Sequence, residues 1–126
     1  MPMTRIAVRA GKTAEYKAAL TSGIQRALIE TFNVPEDDYF MLINEYAAED
    51  FVFGRHYLGI ERSDDLVIIQ ITANNTRTLE QKKALYARVA ERLAESPGLR
   101  KEDVMINLVE VLKENWSFGN GLAQYA

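Results

Sequence analysis

The proline at position 2 is the first residue of this 126-residue chain whose chemistry depends on where it stands. If Met1 is removed, the proline nitrogen becomes a secondary α-amino group, and α-amino groups have a reference pKa of about 7.7 to 8.0. An apolar pocket or a nearby cation disfavours the charged form, so such an amine can act as a general base near neutral pH. The alternative is that Pro2 has no catalytic role. A proline is tolerated at the first position of a strand, because its missing N–H interrupts no hydrogen bond of the sheet. Position alone leaves both interpretations open.

A second candidate is Arg77, which stands one place before a predicted helix cap at Thr78. The amino end of a helix favours anions over cations. Arg77 is therefore either a solvated side chain or the anchor of an anion such as a carboxylate, which a guanidinium binds in a bidentate geometry that lysine lacks. The neutral side chains of Asn74, Asn75 and Thr76 could add hydrogen bonds, but they are equally ordinary loop residues.

Composition excludes several other kinds of chemistry and partner. The chain has no cysteine and a single histidine, His56, so neither a disulfide framework nor a histidine metal cluster within one chain is expected. A net charge of −3 and a pI near 5.2 argue against binding to nucleic acid or to an anionic membrane. No apolar run approaches the roughly 18 residues of a membrane span, and no signal core is present, which predicts a cytoplasmic protein.

The first half of the chain reads as strand, helix and strand. Met3 to Val8 alternates as a strand does, and Thr13 can cap a helix. An apolar residue recurs at every fourth position of that helix, which should end near Asn33 because Pro35 disfavours helical dihedrals before it. The residues of this apolar face are Tyr16, Leu20, Ile24, Leu28 and Phe32, and YFMLINEY follows as the second strand.

The second half repeats this plan. DLVIIQIT and VMINLVEV read as strands, and Thr78 to about Ala94 reads as a helix that Thr78 and Gln81 begin with capping-box spacing. A shift of 65 residues aligns TAEYKAAL with TLEQKKAL, with five of eight residues identical, and pairs Asp38 with Asp103. We infer an internal duplication.

The duplication predicts an α/β (α+β) fold. Each half should form a right-handed crossover with parallel strands, giving a four-stranded mixed sheet with two helices on one face and a short hairpin or tail at the C-terminus. We expect one domain over 1–126, with repeats at about 2–46 and 65–112, a connecting excursion over 47–64 that holds a short hairpin, and a tail over 113–126. DLVIIQIT is apolar on both sides, so other subunits should cover the second face of the sheet.

The proline behind Met1, the duplicated unit, the basic residue before each helix cap (Lys12 and Arg77) and the WSFGNG tail together resemble the tautomerase superfamily. TRTLEQKKAL is similar to the segment that opens the helix in 4-oxalocrotonate tautomerase. VPEDDYF, LGIERSDDLVII and NWSFGNGLAQY resemble the branch with fused halves that contains malonate semialdehyde decarboxylase.

The resemblance implies a homotrimer that uses an amino-terminal proline, here Pro2, without a metal or organic cofactor. It places Asp38 beside the proline, although an acid at that position also suits a structural turn. Arg77 matches one of the two arginines that bind the substrate carboxylate in the decarboxylase, while the place of the other falls on Asn74 or Asn75. Trp116 and Phe118 match the aromatic pair of its pocket, although exposed aromatic residues in such a tail also commonly pack on their own chain or on a neighbour.

Three functions follow from these residues. The first is a tautomerase of small 2-keto or enol carboxylic acids, with Pro2 as base and Arg77 as carboxylate anchor. The second is a decarboxylase or hydratase of malonate semialdehyde or a similar 3-oxo acid, with a cationic Pro2 acting beside Asp38. The third is a non-catalytic oligomeric binding protein that keeps the proline by descent.

Overall fold

The computed structural model describes residues 1–126 and contains all six predicted helices and strands. They are β1 (Met3–Arg9), α1 (Ala14–Phe32), β2 (Met41–Tyr46), β3 (Val67–Asn74), α2 (Leu79–Glu95) and β4 (Val104–Val111). The boundaries of three strands differ from expectation, and the first, β1, ends at Arg9 rather than Val8. The strand β2 begins at Met41 rather than Tyr39, and β3 extends two residues beyond Thr72 to Asn74. That extension carries Asn74 to the end of the sheet where the candidate site lies.

Side-chain caps begin both helices where the sequence predicts them. The Thr13 hydroxyl accepts a hydrogen bond from the Tyr16 amide at 3.1 Å. Thr78 and Gln81 form a complete capping box, in which each side chain accepts from the other residue's backbone N–H, at 3.2 and 3.0 Å. The helix α1 ends at Asn33, whose φ of 57° is the left-handed cap conformation that asparagine tolerates. These caps fix the residues that precede and follow each helix, including Arg77.

The sheet order is β2-β1-β3-β4, with parallel pairs inside each half and an antiparallel pair between the halves. At the centre of the antiparallel pair, Ile6 lies opposite Ile69. Both helices cover the same face, as two right-handed crossovers require. The predicted fold class is therefore confirmed.

The core lies between the sheet and the two helices. Ile6 and Ile69 are fully buried beneath the apolar faces of the helices, whose buried residues include Leu20, Ile24, Leu28, Leu85, Val89 and Leu93. Gly23 lies where α1 and α2 approach closely, since a Cβ atom there would come within 2.9 Å of the Leu93 Cδ2 atom. The two copies of the duplicated unit thus share one core.

The opposite face of the sheet is uncovered within one chain. It presents large apolar side chains with exposed fractions of 37 to 48%, namely Leu42, Tyr46, Met105 and Val109. Two of these residues lie on each edge strand, β2 and β4, and exposed apolar side chains on an uncovered sheet face suit an interaction surface.

The predicted hairpin within residues 47–64 is wrong. This segment contains two single-turn 3-10 helices, Ala48–Asp50 and Tyr57–Gly59, and no strand. Its backbone groups are bonded locally instead, because the Arg62 guanidinium donates to the carbonyl oxygens of Tyr57 and Ile60 at 3.0 and 3.1 Å. Two further turns of this kind, Lys101–Asp103 and Lys113–Asn115, flank β4, and the tail that follows has no strand. None of the helices combines the length and the apolar character that a membrane span requires.

Candidate active site

A cavity of about 340 Å³ opens at one end of the sheet, where β1 begins and β3 ends. Four chain segments meet there: the amino terminus, the turn before β2, the end of β3 with the loop that follows it, and the C-terminal tail. The lining residues are Met1, Val34, Pro35, Asp38, Asn74, Thr76, Arg77, Lys113 and Tyr125. The structure thus brings together the chain's terminal amine, one carboxylate and two cations.

The terminal amine belongs to Met1 in this structure, with Pro2 buried directly behind it. Burial lowers the pKa of this amine below its usual value, and the positive charges of Arg77 and Lys113 lower it further. The negative charge of Asp38 acts in the opposite direction. The cavity therefore favours the neutral, basic form of an amine placed at this end of the chain.

Asp38 is held by the turn that follows α1. Its amide donates to the Pro35 carbonyl oxygen at 3.1 Å, and the Gln25 side chain donates to the carbonyl oxygen of Asp38 at 3.3 Å. The Oδ1 atom of Asp38 is buried without a hydrogen-bond partner. Burial raises the pKa of this carboxyl group, although the positive charge of the terminal amine partly offsets the effect. An unpaired buried carboxylate oxygen costs stability, so the fold holds Asp38 in place at a net cost to its charged form.

Arg77 is fixed from one side by the end of α1. Its Nη2 atom donates to the Phe32 carbonyl oxygen at 2.9 Å, and its guanidinium carbon lies 4.8 Å from the centre of the Phe32 ring. Its Nη1 atom contacts the Thr76 hydroxyl at 3.3 Å. No acidic side chain lies within ion-pair distance of Arg77, whereas most other arginines of the chain have such a partner. The charge is half-buried, positioned and available to an anion.

Asn74 joins the tail to the cavity. The Trp116 indole N–H donates to the Asn74 Oδ1 atom at 2.7 Å, and Asn74 is only 6% exposed. The ring of Phe118 stacks on Trp116 with centroids 5.3 Å apart and meets the edge of Tyr125 at 5.0 Å. The tail therefore packs on its own chain and forms an aromatic wall, of which Tyr125 reaches the cavity.

The remaining loop residues differ in position. Thr76 is exposed and lines the cavity, whereas Asn75 is exposed and is not among the lining residues. Sequence reasoning did not select the lining residues Val34, Pro35, Lys113 and Tyr125 as site residues. Lys113 carries no local sequence signal, because its place depends on the register of β4 against β3, which pairs Val111 with Asn74.

The duplicated copy of this site is closed. The residues that correspond to Arg77 and Asp38 after the shift of 65 are Lys12 and Asp103. Lys12 forms an ion pair with Asp65 at 2.6 Å. Asp103 is 1% exposed and accepts hydrogen bonds from the Ser63 amide and hydroxyl at 2.7 and 2.6 Å. Only the copy that contains the chain terminus keeps its charges unpaired.

A larger cavity of about 720 Å³ runs along β2 and α1. Its lining is mostly apolar, including Tyr39, Phe40 and Leu42, and contains one acid, Glu36, and no cation. It contains neither the terminal amine nor a positively charged side chain that would bind a carboxylate. We therefore assign the candidate site to the smaller cavity. No cluster of three or more histidine, aspartate or glutamate side chains is arranged to hold a metal ion.

The fold and this site define a protein of the tautomerase class, with duplicated strand-helix-strand units and a terminal amine in a charged cavity. Two family models, both described as tautomerase enzyme, match residues 38–119 and 2–60. The chain belongs to the tautomerase family.

Relatives agree with this assignment. The probable tautomerase YusQ of Bacillus subtilis (strain 168) is 45% identical over 124 residues, which cover 98% of both chains. A malonate semialdehyde decarboxylase, described with decarboxylase and hydratase activities, superposes with a TM-score of 0.92 at 26% identity and covers 98% of this chain and 95% of its own. A fused 4-OT, solved as a symmetric trimer, shares the fold with a TM-score of 0.79 at 24% identity, covering 98% and 97% of the two chains.

These findings confirm the predicted resemblance and support tautomerase-type enzyme activity.

Proposed function

We propose that this protein is a cofactor-independent tautomerase of small 2-keto or enol carboxylic acids. Pro2 is the general base after removal of Met1, and Arg77 binds the substrate carboxylate. The observation that carries this proposal is the meeting of the terminal amine with an unpaired Arg77 in one cavity.

The amine moves one proton between oxygen and carbon. In ketonisation it takes the proton from the enol hydroxyl and returns it to the adjacent carbon, so the substrate gains and loses nothing overall. Removal of Met1 transfers the amine to Pro2, which is already buried. Burial and Arg77 lower the pKa of an amine in this cavity, so its neutral form is present at the pH at which a base must act.

Arg77 anchors the substrate through its charge and its fixed orientation. Its Nη2 atom donates to the end of α1 and its Nη1 atom contacts Thr76, and the N–H groups not used in these bonds are available to a carboxylate. The amino end of α2 begins at the neighbouring cap, Thr78, and its dipole favours an anion at the same place. The bound substrate is thereby held close to the amine, so proton transfer takes place within one complex rather than between two freely diffusing molecules.

The neutral residues complete the proposed pocket. Thr76 offers a hydroxyl, and Asn74 keeps its side-chain NH₂ for a substrate because its oxygen is occupied by Trp116. Asn75 would contribute only if its loop moved, since it lies outside the cavity lining. Trp116 and Phe118 lie outside the cavity lining and contribute through the aromatic wall, by supporting Tyr125, which lines the cavity.

A second candidate function is decarboxylation or hydration of malonate semialdehyde or another 3-oxo acid. The observation that favours it is Asp38, whose negative charge in the same cavity favours a protonated Pro2. A cationic amine would stabilise the enolate that remains when carbon dioxide leaves, or would polarise the carbonyl for attack by water. The likeness to malonate semialdehyde decarboxylase supports this alternative.

We also propose that the chain is a homotrimer. The apolar face of the sheet is uncovered, and a structural neighbour that shares the fold is a symmetric trimer. Association through that face would leave the candidate cavity at the end of the sheet accessible. A non-catalytic binding role remains the third alternative, and an inactive protein that still binds small carboxylates would favour it.

Product analysis separates these functions. The purified protein is assayed for phenylpyruvate ketonisation and, separately, for carbon dioxide release from malonate semialdehyde. Ketonisation that Arg77→Met weakens, without carbon dioxide release, supports the tautomerase. Carbon dioxide release that Asp38→Asn abolishes would replace the first function by the second. Absence of both activities would refute both.

A further inference from the structure

Lys113 is the cavity residue that neither the proposed mechanism nor the duplication explains. It begins the turn Lys113–Asn115, two residues after β4 ends. Its position is fixed from both sides. The Asn75 amide donates to the Val111 carbonyl oxygen at 3.0 Å, and the Trp116 indole donates to Asn74 at 2.7 Å. The segment that carries Lys113 is thus attached at both ends to the loop that carries Arg77.

The charge of Lys113 has no partner on the protein. Lys82 and Lys12, which flank the same sheet, form ion pairs with Glu110 and Asp65 at 2.8 and 2.6 Å. No acidic side chain lies within ion-pair distance of Lys113, and Asp38 is the only acid in the cavity lining. Its effect reaches the terminal amine, because Lys113 is among the charges that lower the pKa of that amine.

Two unpaired cations from different segments therefore face one small cavity. Arg77 precedes α2 and Lys113 follows β4, while a single carboxylate opposes them. Arg77 alone suffices for one carboxylate, since its fork matches both oxygens. A second cation adds binding free energy when the ligand carries a second anionic group.

We propose that Lys113 is a specificity-determining residue that selects small acids carrying a second carboxylate over monoacids of the same size. This assignment rests on the proposed function, in which Arg77 binds the first carboxylate. Lys113 supplies the second cation from a segment outside the loop in which the sequence resemblance places an arginine pair. Lysine suits this role because its flexible stem adapts to acids of different length.

The test compares succinate with butyrate, which have the same number of carbon atoms and differ by one carboxylate. Both are titrated calorimetrically against the full-length protein, and both are assayed as competitive inhibitors of phenylpyruvate ketonisation. Succinate should bind the wild type about fivefold more tightly than butyrate, as expected for one largely exposed ion pair. Lys113→Met should remove this preference and leave butyrate binding unchanged, while Lys113→Arg should keep it.

Lys101→Met is the matched control, because Lys101 is also exposed, begins a three-residue turn beside β4 and lies outside the cavity. It should retain the preference for succinate. The role of Lys113 would be overturned if wild type and Lys113→Met showed the same preference for succinate. It would also be overturned if Lys101→Met reduced that preference as much as Lys113→Met does. Calorimetry measures binding without catalysis, so it separates failure of the Lys113 proposal from failure of the proposed function. If Lys113→Met loses the preference for succinate but the wild type shows no ketonisation, the binding role of Lys113 is supported and the tautomerase function is refuted.

Discussion

Alanine substitutions of Asp103 and Asp38, the two acids related by the duplication, should have different effects: the first should lower the free energy of unfolding, and the second should change catalysis. Asp103 is 1% exposed and accepts two hydrogen bonds from Ser63, at 2.7 and 2.6 Å. A hydrogen bond to a charged group contributes about 1.5 kcal/mol or more, so Asp103→Ala should lower the free energy of unfolding by about 3 kcal/mol. For a domain of this size that corresponds to a fall in Tm on the order of 10 °C. The bond from the Ser63 amide links the excursion to the start of β4, which explains why the loss is structural.

Asp38→Ala should leave stability unchanged or raise it. The buried Oδ1 atom of Asp38 has no partner, and burial raises the pKa of this carboxyl group above its unfolded value. A raised pKa means that the folded state binds the proton more tightly than the unfolded state, so ionisation above the unfolded pKa reduces stability. Near pH 7 the carboxylate therefore destabilises the fold, and its removal relieves that cost. The difference between wild type and Asp38→Ala should shrink as the pH falls below the unfolded pKa.

Urea unfolding and ketonisation kinetics, measured on both variants at one protein concentration, test this pair of expectations. The fixed concentration is needed because self-association contributes to apparent stability. Asp103→Ala should show a lower unfolding midpoint with near-normal activity in the folded fraction, and Asp38→Ala a normal midpoint with altered kcat. A large loss of stability in Asp38→Ala, with none in Asp103→Ala, would refute the division between a structural and a functional copy.

Three further predictions concern single side chains. In the profile of kcat/KM against pH, Arg77→Met should move the acidic limb to higher pH, because loss of the positive charge raises the pKa of the amine. Asp38→Asn should move the acidic limb to lower pH, because loss of the negative charge lowers that pKa. Shifts in the same direction would contradict the electrostatic account. Burial, followed by the charges of Asp65 and Asp103, raises the pKa of Tyr16 to about 12, so an ultraviolet titration to about pH 11 should count the same number of ionised tyrosines in Tyr16→Phe as in the wild type. Thr78→Ala removes one half of the capping box and should cost about 1 kcal/mol in urea unfolding, with little change if the cap is unimportant.

Much of the fold was predictable because local patterns and global topology agree. Apolar residues at every fourth position from Tyr16 to Phe32, and the caps at Thr13 and Thr78, define the helices. The repeat at a shift of 65 residues predicts the parallel strand pair within each half. The excursion was not predictable, because its glycines permit both a hairpin and turns. The choice is made by Arg62, which bonds carbonyl groups within the same segment.

The candidate site was only partly readable from the sequence. Pro2, Asp38 and Arg77 stand out by position and resemblance, yet no sequence pattern shows that Asp103 is bonded and Asp38 is not. That difference depends on Ser63, which lies 40 residues from Asp103 in sequence. Lys113 likewise depends on strand register rather than on any motif.

The most direct test of the central proposal compares two forms of the protein that differ only at the proline nitrogen. One begins at Pro2, and the other keeps one residue in front of Pro2, so that its nitrogen is an amide and cannot act as a base. Intact mass establishes each form, and phenylpyruvate ketonisation is measured on both. The account predicts that kcat/KM falls at least about 100-fold in the extended form, which is the contribution expected of a general base. Equal activity of the two forms would contradict the assignment of Pro2 as the catalytic base.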